Sequence, residues 1–220
     1  MYSYSVRKAG NPELYKAFDA RVEKMGNNSD YPTLHNVLYY MMFRDNANKK
    51  VWQNIVESVI QNEYHIPIIY FRPFKASEIF IKHHFPEWDL RDYTDKFWSS
   101  ERYFNILDYD IEYFHESDYW NFKCFLNAKC FVYPIPLMTK HNLFKLHFVF
   151  NEYKIAINFH LERTLIYGKK EPSELLKFGS KILKYEGWEI LELSELEFND
   201  WTYDERINNI KGWLTEAKLR

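Results

Sequence analysis

Apolar residues recur every three or four positions through the first half of the chain and then give way to strict alternation. Leu14, Phe18, Val22 and Met25 follow Asn11-Pro12. That pair suits the start of a helix, because proline there forfeits only an N–H with no helical partner. Gly26 through Ser29 ends this first helix. Ser29 or Asp30, with Pro32, opens a second whose face is Leu34, Val37, Leu38, Met41 and Met42. Asn46 to Asn48 interrupts the pattern, and Trp52, Ile55, Val56, Val59 and Ile60 define a third helix. Short helices joined by short loops predict a helix-hairpin repeat architecture. Pro67, Pro73 and Pro86 divide the next stretch, where Phe74, Glu78, Ile81 and Phe85 are spaced to line one more helix. Tyr93, Phe97, Phe104 and Leu107 support a further helical segment, so the region reads as a divergent second repeat pair.

The character changes near Tyr119. Tyr119 to Cys130 fits either a helix or an extended run, and Pro134 and Pro136 then force a break. Leu146, Phe148 and Phe150 alternate with His147 and Val149, which is strand periodicity. Asn151-Glu152 supplies a turn, and Tyr153, Ile155, Ile157 and Phe159 alternate along the partner strand. Glu171-Pro172-Ser173 opens a helix with Leu175, Phe178, Gly179, Ile182 and Leu183 facing inward. Gly187 stands where a C-terminal cap belongs, and Trp188 to Leu193 reads as a short buried strand. Thr202 and Glu205 have the spacing of a capping box, opening a last helix with Ile207, Ile210, Leu214 and Ala217 on its core face. The expected fold class is α+β, with residues 1–115 as a helical-repeat region and 116–220 as a small α/β module.

Composition adds one positive and several negative points. Aromatic residues make up 20% of the chain, which argues for packed structure rather than disorder. The surplus suits a protein buried in a large assembly, since Tyr and Trp are enriched at interface cores. It suits still better an aromatic core in a chain encoded by an AT-rich genome. Lys and Arg total 29 against 31 acidic residues, and from Lys145 onward the balance is 12 to 13. Dedicated nucleic-acid binders carry a basic excess to neutralise phosphates, and none is present. Cys124 and Cys130 fit neither a redox pair nor common zinc spacing, so two reduced thiols are expected. No apolar run is long enough to cross a membrane, and Met1 to Gly10 contains no signal-peptide core.

Leu176 to Leu214 carries a family-like order of elements. A basic helix, Lys177 to Lys184, leads into Tyr185, Gly187 and Trp188. A strand, Glu189 to Leu193, is followed by an acidic-aromatic stretch, Glu197 to Trp201. A terminal helix with Glu205-Arg206 closes the order. The segment resembles the RAP domain, a small C-terminal module related to restriction-endonuclease-like folds. The helical pairs upstream resemble the degenerate repeats that precede RAP domains in FAST-kinase-like mitochondrial proteins. The resemblance implies placement in mitochondria, on the matrix side, and work on organellar RNA or ribosomes. In nuclease-like relatives one strand carries an acidic pair, Ile-Glu-x-Asp-Gly, whose carboxylates hold a divalent metal for phosphodiester cleavage. The corresponding stretch here is Ile155-Ala156-Ile157-Asn158-Phe159. Alanine cannot ligate a metal and an amide is a poor substitute for an anion, so Ala156 and Asn158 are degenerate nuclease positions.

Other constellations carry less. His83 and His84 are adjacent, about 100° apart on a helix, and cannot readily share one ion. His115, His141, His147 and His160 have no spacing that demands a zinc site with the two cysteines, and no phosphate-binding glycine loop or nucleophile elbow occurs. Lys177, Lys181 and Lys184 share a helix face, and Tyr185 lies beside them. They are the candidate nucleic-acid contacts, although lysines on a solvated or protein-facing side of an amphipathic helix are the commoner case. The expectation is a non-enzymatic accessory subunit of a large mitochondrial assembly, with protein subunits as partners and no metal, cofactor or small-molecule substrate. The alternative is an RNA-binding factor in mitochondrial RNA processing or translation.

Overall fold

The structure, a computed structural model, describes residues 11–25, 29–62, 66–67, 70–96, 119–138, 145–150, 154–166 and 171–219. The chain is mixed α+β and divides into two compact units, Met1–Leu107 and Asp108–Arg220. The expected boundary at residues 115 and 116 lies outside the described residues, as do Phe97, Phe104, Leu107, His115, His141 and the Asn151-Glu152 turn.

The described part of the first unit is helical. Helix α1 spans Pro12–Glu23, α2 Tyr31–Phe43, α3 Lys49–Gln61, α4 Phe71–His84 and α5 Arg91–Asp95. The first three start at side-chain caps: Asn11 accepts from the Leu14 N–H, Asp30 from Thr33, and Asn48 from Val51. Each cap satisfies one amide at a helix start that otherwise has no partner. The expected face of α2 is buried throughout, and Trp52 of α3 stacks on Phe80 of α4 at 5.0 Å between ring centroids. Pro73 does not divide the chain. It occupies the third position of α4, where its missing N–H removes no intrahelical bond.

One feature of α4 runs against its apolar pattern. Glu78 is buried, and so is Lys75 one turn before it. Their charged groups meet at 2.8 Å, and the exposed Lys82 ammonium also bonds the Glu78 carboxylate. Burial pushes the Glu78 carboxyl up, but the two lysines outweigh it and hold the group below its ordinary value. Ser77 on the same helix shares a 2.6 Å hydrogen bond with the Tyr93 hydroxyl. Burial keeps that phenol well above its usual range.

In the second unit, α6 spans Trp120–Phe125 and runs into a wide turn at Leu126–Cys130. The strands are β1 Ile135–Met138, β2 Lys145–Phe150, β3 Ile155–His160 and β4 Glu189–Ser194, in the order β1-β2-β3-β4. Helix α7, Glu174–Tyr185, connects β3 to β4, which run parallel, while β1-β2 and β2-β3 are antiparallel. Gly187 takes φ +82° after α7, and the Trp188 N–H closes back on the Leu183 carbonyl. An L side chain at Gly187 would be strained in that conformation.

The remaining helices are α8, Glu195–Asp200, and α9, Tyr203–Leu219. The acidic-aromatic stretch is therefore a helical turn: Ser194 caps it by accepting from the Glu197 N–H. The capping box before α9 is formed in both directions, with Glu205 accepting from the Thr202 N–H and Thr202 Oγ1 accepting from the Glu205 N–H.

β3 is covered on both faces. Ile155, Ile157 and Phe159 join Phe122, Phe198, Ile210 and Leu214 in the larger core. On the opposite face Ala156 packs with Ile190 of β4 and Leu183 of α7. Alternation along a strand makes this division automatic.

Candidate functional site

The α7-facing side of β3 and β4 becomes polar one pleat beyond Ala156. The parallel register sets Asn158 opposite Glu192 and His160 opposite Ser194. Two strands whose apolar residues alternate thus each contribute polar side chains to one face. Ser180, buried on α7, completes the group from above.

These side chains are joined by hydrogen bonds. Asn158 Nδ2 donates to Ser180 Oγ at 2.9 Å and to Glu192 Oε2 at 3.2 Å. His160 Nε2 lies 2.5 Å from the same Glu192 oxygen. The other oxygen, Glu192 Oε1, is buried with no hydrogen-bond partner. His160 is almost fully enclosed, whereas the Glu192 side chain keeps 23% of its exposure. The group is a carboxylate held by an amide and an imidazole at the carboxyl ends of two parallel strands, the usual place for α/β sites.

Its chemical capacity is limited by its own bonds. Among the described residues no group of three or more His, Cys, Asp and Glu side chains converges as metal ligands. Asn158 presents its NH2 to the carboxylate, so the amide acts as a donor here and offers no oxygen toward Glu192. Ala156 is completely buried under α7 and contributes packing only. Cys130 lies in the other core, where burial pushes its thiol up and keeps it protonated, and Cys124 is exposed.

The lysine row on α7 begins among acidic side chains. Lys177 Nζ is 3.9 Å from Glu171 and 4.0 Å from Glu174, so its charge is offset by acidic neighbours. Lys181 and Tyr185 are half-buried, and Lys184 is exposed. His160 and Glu192 were missed as partners in the sequence. Their signal was a polar residue at an inward position in each of two apolar strands flanking one helix. Which strands pair, and in which register, is set by tertiary structure.

His83 is exposed, while the half-buried His84 ring packs 4.3 Å from Phe80 with Nε2 3.7 Å from Asp45. No helix among the described residues is long and apolar enough to cross a membrane. No protein-family model matches the chain, and no curated protein matches it.

Proposed function

We propose that the chain is a non-enzymatic accessory subunit of a large mitochondrial assembly, such as a mitoribosome, a respiratory-chain complex or an ATP synthase. In this reading the C-terminal unit is a degenerate RAP-like, restriction-endonuclease-like scaffold, and the N-terminal helices are a short repeat region. The observation that carries it is the state of β3. At the two positions where metal-holding carboxylates would stand, Ala156 is sealed under α7 and the Asn158 amide is already committed to Ser180 and Glu192. A single carboxylate already bonded by two neighbours is a poor anchor for a divalent ion, which takes several oxygen ligands.

Sedimentation of gently lysed mitochondria tests the reading. The whole population of the chain is expected in one heavy particle, and a population confined to light fractions contradicts it. An RNA-binding factor is the second reading, favoured by Lys177, Lys181 and Lys184 on one face of α7. It predicts micromolar RNA affinity with steep salt dependence in the isolated chain.

A further inference from the structure

The described surface of the C-terminal unit carries apolar side chains that its core does not use. Phe131 is 71% exposed and Tyr133 73%; Ile135 and Tyr203 are also exposed. Trp120 is exposed as well, and three of the five fall within five residues, where Val132 and Pro134 turn inward while Tyr133 and Ile135 face out. Single exposed apolar residues are ordinary, but a contiguous group of this kind marks an interaction surface.

The backbone at Phe131 sharpens the point. Phe131 ends the α6 turn in the left-handed conformation, with φ +57° and ψ +38°, and the Val132 N–H closes back on the Leu126 carbonyl. Glycine or asparagine serves that cap at lower cost, because a bulky L residue there is strained. A strained phenylalanine that buries little of itself gains little from the fold of its own chain beyond one contact with Lys211. Its ring is available for something else.

Charge indicates what that is. Lys211 Nζ stands 5.3 Å from the Phe131 ring centroid, and Lys129 Nζ stands 5.6 Å from that of Tyr203. The two contacts tie the end of the α6 turn to α9 and make one surface of rings flanked by ammonium groups. Such a surface suits an anionic partner with an apolar face. The chain as a whole has 29 basic and 31 acidic residues, without the excess that phosphate backbones require, which favours protein over nucleic acid.

We propose that Phe131, Tyr133, Ile135 and Tyr203, with Lys129 and Lys211, dock an acidic, apolar-faced segment of a partner protein. The assignment rests on the accessory-subunit reading and names the surface that such a subunit uses. Three probes test it against the full chain: a synthetic amphipathic peptide with a leucine face and a glutamate face, its lysine-faced counterpart, and a twelve-residue polyuridine. The acidic peptide is expected to bind saturably, with the lysine-faced peptide and polyuridine each at least about tenfold weaker.

Phe131→Gly separates docking from folding, because it relieves the left-handed strain while deleting the ring. Its melting temperature should stay level or rise, while affinity for the acidic peptide falls by about tenfold or more. Lys129→Ala/Lys211→Ala should weaken binding and flatten its salt dependence. Absence of saturable acidic-peptide binding overturns the proposal, as does binding that survives Phe131→Gly. Polyuridine binding that Phe131→Gly abolishes reassigns the surface to RNA and also overturns it. A peptide that fails to bind while the chain still sediments in the heavy particle removes this surface and leaves the accessory-subunit reading standing. A chain confined to light fractions removes that reading whatever the peptide does.

Discussion

The two units bury polar groups in opposite ways. In the helical unit, Lys75 and Glu78 are one turn apart on α4, and a third partner, Lys82, comes from the next turn. That ion trio is local, and its members would be near one another in any helix containing them. In the α/β unit, Asn158, His160, Glu192 and Ser180 come from β3, β4 and α7, and only the finished sheet brings them together. A local pair can neutralise itself wherever the helix packs. A dispersed group fixes which strand lies beside which, because any slip in the parallel register strands a buried amide, imidazole or carboxylate.

That contrast can be broken first at Glu78. Glu78→Ala removes the buried carboxylate that Lys75 and Lys82 share and should cost about 3–5 kcal/mol in chemical denaturation. Replacing both residues, as Lys75→Met/Glu78→Leu, should recover most of that loss, since a well-packed apolar pair substitutes for a buried ion pair at little net cost. The same trio has an acid signature. The folded Glu78 carboxyl lies below its ordinary value of 4.5, so its contribution is fully present above that pH. It is lost as pH falls through the folded value, and denaturation midpoints measured from neutral pH downward should show the fall. Glu78→Gln should flatten that dependence.

The dispersed group should respond less to a single deletion. Asn158→Ala removes the donor shared by Ser180 and Glu192 and should cost about 1–3 kcal/mol, again by chemical denaturation. Smaller still is the cap of α9. Thr202→Ala removes the hydroxyl half of the box, leaving the Thr202 N–H bonded to Glu205, and should cost about 1 kcal/mol, with faster amide exchange confined to the first turn of the helix. Lys177→Ala should change stability by less than about 0.5 kcal/mol, because its two acidic neighbours lie at the limit of ion-pair distance on a partly solvated face.

Legibility in the sequence follows the same division between local and dispersed. The α2 and α3 faces, the Gly187 turn and the Thr202–Glu205 box could all be read because each depends on residues within a few positions. The short helix Glu195–Asp200 was hidden because it buries a single apolar side chain, Phe198, and offers no repeat of the helical period. Pro73 misled because proline looks the same whether it breaks a helix or stands in its first turn. Glu78 fitted the apolar face of α4 by spacing, and nothing in spacing says that its charge is met by Lys75. The Glu192–His160 contact was invisible for a different reason. The two residues are separated by an entire βαβ crossover, and alternation gives each strand its inward positions without naming its neighbour.

Titration of the purified chain with manganese(II), followed by calorimetry, tests the state of β3 most directly. With Ala156 sealed and the Asn158 NH2 turned to Ser180 and Glu192, no saturable heat is expected, whereas Asn158→Asp, which sets a second carboxylate beside Glu192 and His160, should acquire it. Stoichiometric binding by the natural chain that is lost in Glu192→Gln would contradict the scaffold reading and place a working metal site between the two parallel strands.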